Sequence, residues 1–136
     1  MSSLMTKSLF ISHAWTQNLL PWQQVVSWFE KEPDFSWQNC SCPDTHFLKD
    51  KSTKSLAAEI TRQISSAQAV IILSEMYAAN SAWVGYEIRE AKRMNKLIIG
   101  VAPLVKGCIP SKIKNTADLM SAGCSASLVS MVRFIA

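Results

Sequence analysis

Glycine is scarce in this sequence, with four residues in 136. Neither a G-x-G-x-x-G fingerprint nor a G-x-x-x-x-G-K-[ST] phosphate loop occurs, so two common ways of cradling nucleotide phosphates are excluded. A G-x-S-x-G elbow is also missing, which argues against a serine hydrolase of that build. Histidine is rarer still: only His13 and His46, far apart in the chain. Of the four cysteines, only Cys40 and Cys42 are close, as C-x-C, without the spacing of a zinc knuckle or a redox pair. Free thiols and no metal centre are expected. No apolar run approaches the roughly 18 residues of a spanning helix. The opening MSSLMTKSLFISHAW has too short an apolar stretch for a signal peptide and no clear cleavage site. The expectation is a soluble, cytoplasmic protein with no membrane partner.

What is present is enough to fold. Hydrophobic residues make up 49% and charged residues 18%, a balance that favours a packed core over disorder. The length suits one domain over residues 1–136. Basic residues exceed acidic ones by four, but the excess is spread out, with a mild cluster in FLKDKSTK. Such a cluster is usually a solvated loop, and it could attract a phosphate-bearing ligand. Nucleic acid binding would want a denser stripe.

Periodicity supplies the fold class. KSLFIS (7–12) is a short apolar run and reads as a buried first strand. LPWQQVVSWFEKE (20–32) places Trp22, Val25, Val26 and Phe29 at helical spacing, with Pro21 in the first turn. A short strand is expected around Phe35 to Asn39, then a polar loop through Pro43. The clearest helix spans 52–67, with Leu56, Ile60 and Ile64 at four-residue steps and Ser52 or Thr53 as cap. QAVIILS (68–74) and KLIIGVAPL (96–104) read as buried strands, with EMYAANSA as a loop and a helix from about Trp83 to Met94 between them. A loop with short helical turns, a weak strand in ADLMSA and a last helix with Leu128, Val129, Val132 and Ile135 inward complete the chain. Continuously apolar strands alternating with helices imply a parallel sheet buried on both faces. The best fit is a flavodoxin-like three-layer α/β sandwich of about five strands.

In such a sheet, ligands collect beyond the carboxyl ends of the strands, near the switch in strand order. Ser12, His13 and Trp15 follow the first strand, Asn39 and Ser41 the second, and Ser74, Tyr77, Asn80 and Ser81 the third. The helix after the third strand holds an anomaly. Val84, Ile88, Ala91 and Met94 share its apolar face, Arg89, Lys92 and Arg93 the opposite one, and Glu87 falls on the apolar side. A phosphate-receiving regulator would need an acidic pair after the first strand and an Asp after the third, where this chain has Ser-His and Ser. One carboxylate among hydroxyls and aromatics suits a sugar instead. It can take charge-assisted hydrogen bonds from ribose hydroxyls and stabilise the cation-like sugar of a breaking glycosidic bond. Trp15, Tyr77 and Trp83 offer flat faces to a base. The plainer readings are an edge glutamate with a solvated head, a structural His13, core tryptophans, and Ser74 or Ser81 as caps.

LFISHAW, WQNCSCP, AVIILSEMYAANSAWVGYEIREAKRMNKLIIGV and ADLMSAGCSASLVSMVRFI together resemble TIR-like domains of the kind found in bacterial Thoeris anti-phage systems. The resemblance covers nearly the whole chain and is strongest at Tyr77, Trp83, Tyr86 and Glu87. It implies a TIR fold and an enzyme that cleaves NAD+ between ribose and nicotinamide, with NAD+ as substrate and no separate cofactor or metal. By resemblance, Glu87 is catalytic in an S-x-W-x-x-x-E region, with Ser81 and Trp83 at the preceding motif positions. Ser12 and His13 match the end of the first strand, which in the family lines the same pocket, and Asn39 and Ser41 match the loop after the second strand. The resemblance further implies self-association on activation, a phage-derived trigger, and a diffusible ADP-ribose-derived signal that acts on a separate effector. Val84 stands where many plant and animal TIR domains have Cys. The alternative is a non-catalytic TIR module that works by homotypic assembly.

Overall fold

The computed structural model describes residues 6–13, 19–41 and 53–135. Five strands form one parallel sheet: β1 (Lys7–Ile11), β2 (Trp37–Asn39), β3 (Ala69–Leu73), β4 (Leu97–Val101) and β5 (Leu119–Ser121). Their order is β2-β1-β3-β4-β5, the flavodoxin-type arrangement with its switch between β1 and β3. Register pairs Leu9 with Ala69 and Leu73 with Val101, so the carboxyl ends of all three central strands share one rim.

Among the described residues, six helices connect and cover the strands: α1 (Leu20–Lys31), α2 (Thr53–Ser65), α3 (Ser74–Ala79), α4 (Ser81–Arg93), α5 (Ser111–Thr116) and α6 (Ser125–Arg133). Helices α1 and α6 pack together, as do α2 and α4, and α4 lies against β3 and β4. Every residue of β3 is buried, whereas the edge strand β2 is largely exposed. The core joins Leu9, Phe10 and Ile11 of β1, Val25 and Phe29 of α1, Ile60 and Ile64 of α2, the whole of β3, and Leu128, Val129 and Val132 of α6. Each large aliphatic or aromatic side chain removed from water in this way stabilises the fold by about 1.5–3 kcal/mol.

Close approach fixes one glycine. A Cβ on Gly100 of β4 would stand 2.6 Å from Ile113 Cγ2 and 2.6 Å from Met120 Sδ. The absence of a side chain there lets α5 and β5 close over the edge of the sheet. Helix α4 ends because Asn95 takes left-handed backbone, φ 58°, a conformation that asparagine tolerates better than most residues.

The structure departs from the sequence reading in two places. SEMYAA, which begins at the expected last strand residue Ser74, is the short helix α3 rather than strand end and loop. Helix α4 starts two residues before Trp83, and its cap is Asn80, whose Oδ1 accepts the Trp83 N–H at 3.3 Å. Ser81 therefore lies inside the helix. The expected caps of α2 include Ser52, which falls outside the described residues, as do Trp15, Cys42, Pro43 and His46.

Candidate functional site at the carboxyl rim

Ser12 and His13 leave β1 at the switch point, and both are fully buried. Ser12 Oγ accepts the Leu73 N–H at 2.9 Å, tying the end of β1 to the end of β3. Ser74 is 2% exposed and donates its hydroxyl to the Val101 carbonyl at 2.6 Å, tying β3 to β4. These two hydroxyls join neighbouring strand ends, which stiffens the rim where a ligand would sit. They are bound into the fold before any ligand arrives.

The second-strand residues form a separate cluster. Asn39 Oδ1 accepts the Ser41 N–H at 3.0 Å and the Ser41 hydroxyl at 2.5 Å. Trp22 Nε1 of α1 in turn donates to Ser41 Oγ at 3.1 Å. Ser41 is buried and Asn39 exposed. Trp22 thus spends its polar handle on the turn after β2, its ring half-buried against the core.

Glu87 lies on α4 and is 0% exposed, flanked along the helix by buried Val84 and Ile88. The solvated-edge reading of this residue is excluded. Its carboxylate is also not open to solvent at the rim, so a substrate can meet it only after the covering groups move. An acid at this depth is tolerated only where it is hydrogen-bonded or paired. Nearby on the same helix, Trp83 and Tyr86 meet edge to face, their centroids 5.9 Å apart. Tyr86 OH lies 2.6 Å from Thr61 Oγ1, which also donates to Glu90 Oε1 at 2.8 Å, so α2 and α4 are cross-linked beside the Glu87 turn. Tyr77 is half-buried against the core and Ser81 is exposed.

His13 has a partner that the sequence reading did not single out. Its Nε2 lies 3.3 Å from Gln63 Oε1 on α2, and Gln63 is 2% exposed. Burial pushes the His13 pKa down to about 4, against a smaller opposing effect of the Gln63 hydrogen bond, so the ring is neutral at physiological pH. The Phe10 ring sits 5.5 Å from the imidazole and contributes to that apolar setting. Gln63 was detectable in principle: it lies three residues after Ile60 and beside Ile64, a polar side chain on the apolar face of α2.

Elsewhere on the rim side, a groove of about 440 Å³ is lined by Leu20, Pro21, Gln24, Trp28, Glu75, Leu104 and Val105. Glu87 is not among its lining residues. Among the described residues, no group of three His, Cys, Asp or Glu side chains is placed to hold a metal ion. No helix among them is long and apolar enough to cross a membrane.

Comparison with known proteins agrees with this architecture. A solved structure of a CMP N-glycosidase from Clostridium botulinum superposes with a TM-score of 0.54 at 10% identity, covering 95% of this chain and all of that one. At that identity the likeness speaks for the fold. No curated protein matches the sequence. The family described as Thoeris protein ThsB, TIR-like domain, matches residues 10–106, from β1 to just past β4. The chain belongs to that family of Thoeris TIR-like domains.

Proposed function

We propose that the chain cleaves NAD+ at the bond between ribose and nicotinamide and turns the ADP-ribose part into a signal molecule in anti-phage defence. The observation that carries this reading is the place of Glu87, an acid turned inward on α4, the second helix after the third strand of the sheet. Membership of the Thoeris TIR-like family supports it. So does the likeness to the Clostridium botulinum CMP N-glycosidase, named for cleaving a nucleotide's N-glycosidic bond.

In this chemistry the bond from the ribose carbon to the nicotinamide nitrogen breaks. Its electron pair goes to the nitrogen, and nicotinamide leaves neutral. The sugar carbon becomes cation-like, and the Glu87 carboxylate stabilises that charge while accepting hydrogen bonds from ribose hydroxyls. An acceptor then closes the carbon: water, which gives up a proton, an adenine nitrogen, or a second small molecule. Tyr77 and Trp83 offer faces to the leaving ring or the adenine. NAD+ is the substrate, the protein needs no cofactor or metal of its own, and the product reaches a separate effector through the cytoplasm.

Glu87→Gln tests the assignment. Nicotinamide release from NAD+ should disappear, while the melting temperature stays almost unchanged, because glutamine keeps the size and shape of the side chain. A variant that releases nicotinamide at the wild-type rate would remove Glu87 from the mechanism. The second reading, a non-catalytic TIR module, is favoured by the same full burial. A wild-type protein that releases no nicotinamide at any concentration or with infected-cell lysate would select it.

A further inference from the structure

The groove of about 440 Å³ on the rim side has a mostly apolar wall and one acid in it. Leu20, Trp28, Leu104 and Val105 supply apolar surface, and Gln24 is a neutral amide. Among the described residues that line it, Glu75 alone is ionisable. Glu75 stands on α3 directly after β3, and Leu104 in the segment after β4. Glu75 Oε2 accepts the Leu104 N–H at 2.5 Å, which fixes the carboxylate between the two strand ends. The other oxygen, Oε1, is buried and has no hydrogen-bond partner among the described residues. A buried carboxylate oxygen left without a donor is costly. The groove's size falls within the roughly 300–1,000 Å³ of small-molecule sites, which are mainly apolar with a few placed polar groups.

We propose that this groove is a ligand site separate from the nucleotide's, which takes a small organic ammonium ion. Its apolar body lies against Leu20, Trp28, Leu104 and Val105, and its N–H donates to Glu75 Oε1. The groove selects that class on three counts. A carboxylate oxygen only accepts, so the ligand must donate, and a charged donor makes the stronger bond. Tryptophan is the side chain whose ring best receives a cation. No lysine or arginine is among the described lining residues, so nothing there pairs with the phosphates of a dinucleotide. An apolar body also covers Leu20 and Val105, both largely exposed. The Leu104 bond occupies Oε2 alone, so the ligand supplies a missing donor rather than competing for one. Oε1 is covered, so a ligand that reaches it shifts the segment around Leu104, and the Leu104 amide reports the event. The inference does not rest on the NAD+ reading, since Glu87 does not line the groove.

The probe is phenethylammonium, titrated into the 15N-labelled full chain with calorimetry on the same samples. It should bind saturably, one per chain, and shift the Leu104 amide and the Trp28 indole resonances together. Phenethyl alcohol has the same body without the charge and should bind about tenfold more weakly or worse. Phenylpropionate, with a carboxylate in place of the ammonium, should not bind. Glu75→Gln keeps the shape, and its carbonyl can still accept the Leu104 N–H, yet affinity for the amine should fall to that of the alcohol. Should Glu75→Gln fail to fold, Val105→Lys replaces it: an added ammonium at an exposed position should weaken the amine and leave the alcohol unchanged. Equal affinities for amine and alcohol, an amine affinity untouched by the variant, or shifts that never saturate overturn the site. Displacement of the amine by NAD+ overturns its separateness, and that outcome is independent of whether nicotinamide is released.

Discussion

His13 shows how one buried ring can carry a pH dependence. The unfolded chain takes up a proton there as pH falls through about 6.5, while the folded chain refuses it until about 4. Between those values the unfolded state binds more protons, so stability rises with pH. His13's contribution is complete above pH 6.5 and is lost as pH falls toward and through 4. The full span corresponds to about 3 kcal/mol. Urea unfolding of wild type and His13→Gln across pH 4 to 7 should show a steeper loss in the wild type, and parallel curves would discount the buried neutral ring. Comparing slopes separates this effect from the carboxylates of Glu59 and Glu90, whose lowered pKa values move stability at more acidic pH. At this scale the sequence was legible as a list of positions rather than as contacts. Glu87 stood out because a polar side chain interrupted an apolar pattern, and His13 because it follows the first strand at the expected rim. Their depth did not, because burial of a side chain depends on which elements cover it. Gln63 interrupted a pattern as well, but its role exists only once α2 is laid beside the end of β1.

The elements themselves were written more plainly. Continuous apolar runs in β1, β3 and β4 and four-residue steps in α2 are strong signals because burial on both faces of a sheet, or on one face of a helix, demands them. Helix α3 was missed since six residues, SEMYAA, are too few to display a period. The start of α4 was misplaced for a different reason: Asn80 and Ser81 are both good caps, and propensity alone does not choose between neighbours. The structure chooses Asn80. Asn80→Ala should therefore cost about 0.5–2 kcal/mol in chemical denaturation, the usual range for a lost cap. Ser81→Ala, inside the helix and exposed, should change stability little, and equal effects of the two would point to a cap other than Asn80. Gly100 gives a second test of element packing. Gly100→Val forces methyl groups into the space held by Ile113 and Met120, and overpacking of this kind costs about 1–3 kcal/mol. A variant with wild-type stability would mean that α5 moves aside freely.

For the whole molecule, the burial of Glu87 sets the terms of any activity. A carboxylate at 0% exposure cannot touch a sugar until the chain opens, so the competent form is a minor state of the resting protein under the proposed reading. A protein in a minor active state is switched on by whatever binds that state more tightly than the resting one. A second copy of the chain is one such binder. A rim site on a small sheet is shallow, and a neighbouring subunit can cover it and exclude water from the reacting sugar. Exposed apolar side chains of the rim groove are available for such contact: Leu20 is 70% exposed and Val105 73%. If association selects the open form, nicotinamide release per mole of protein should climb with protein concentration and level off once assembly is complete. The measurement is initial rate against concentration over a wide range, with light scattering on the same samples to follow association. Rate and association should rise together, and replacing Val105 by a charged residue should depress both without lowering the melting temperature. A rate strictly proportional to concentration, with no change in particle size, would place the opening step within the single chain and leave the trigger to act there.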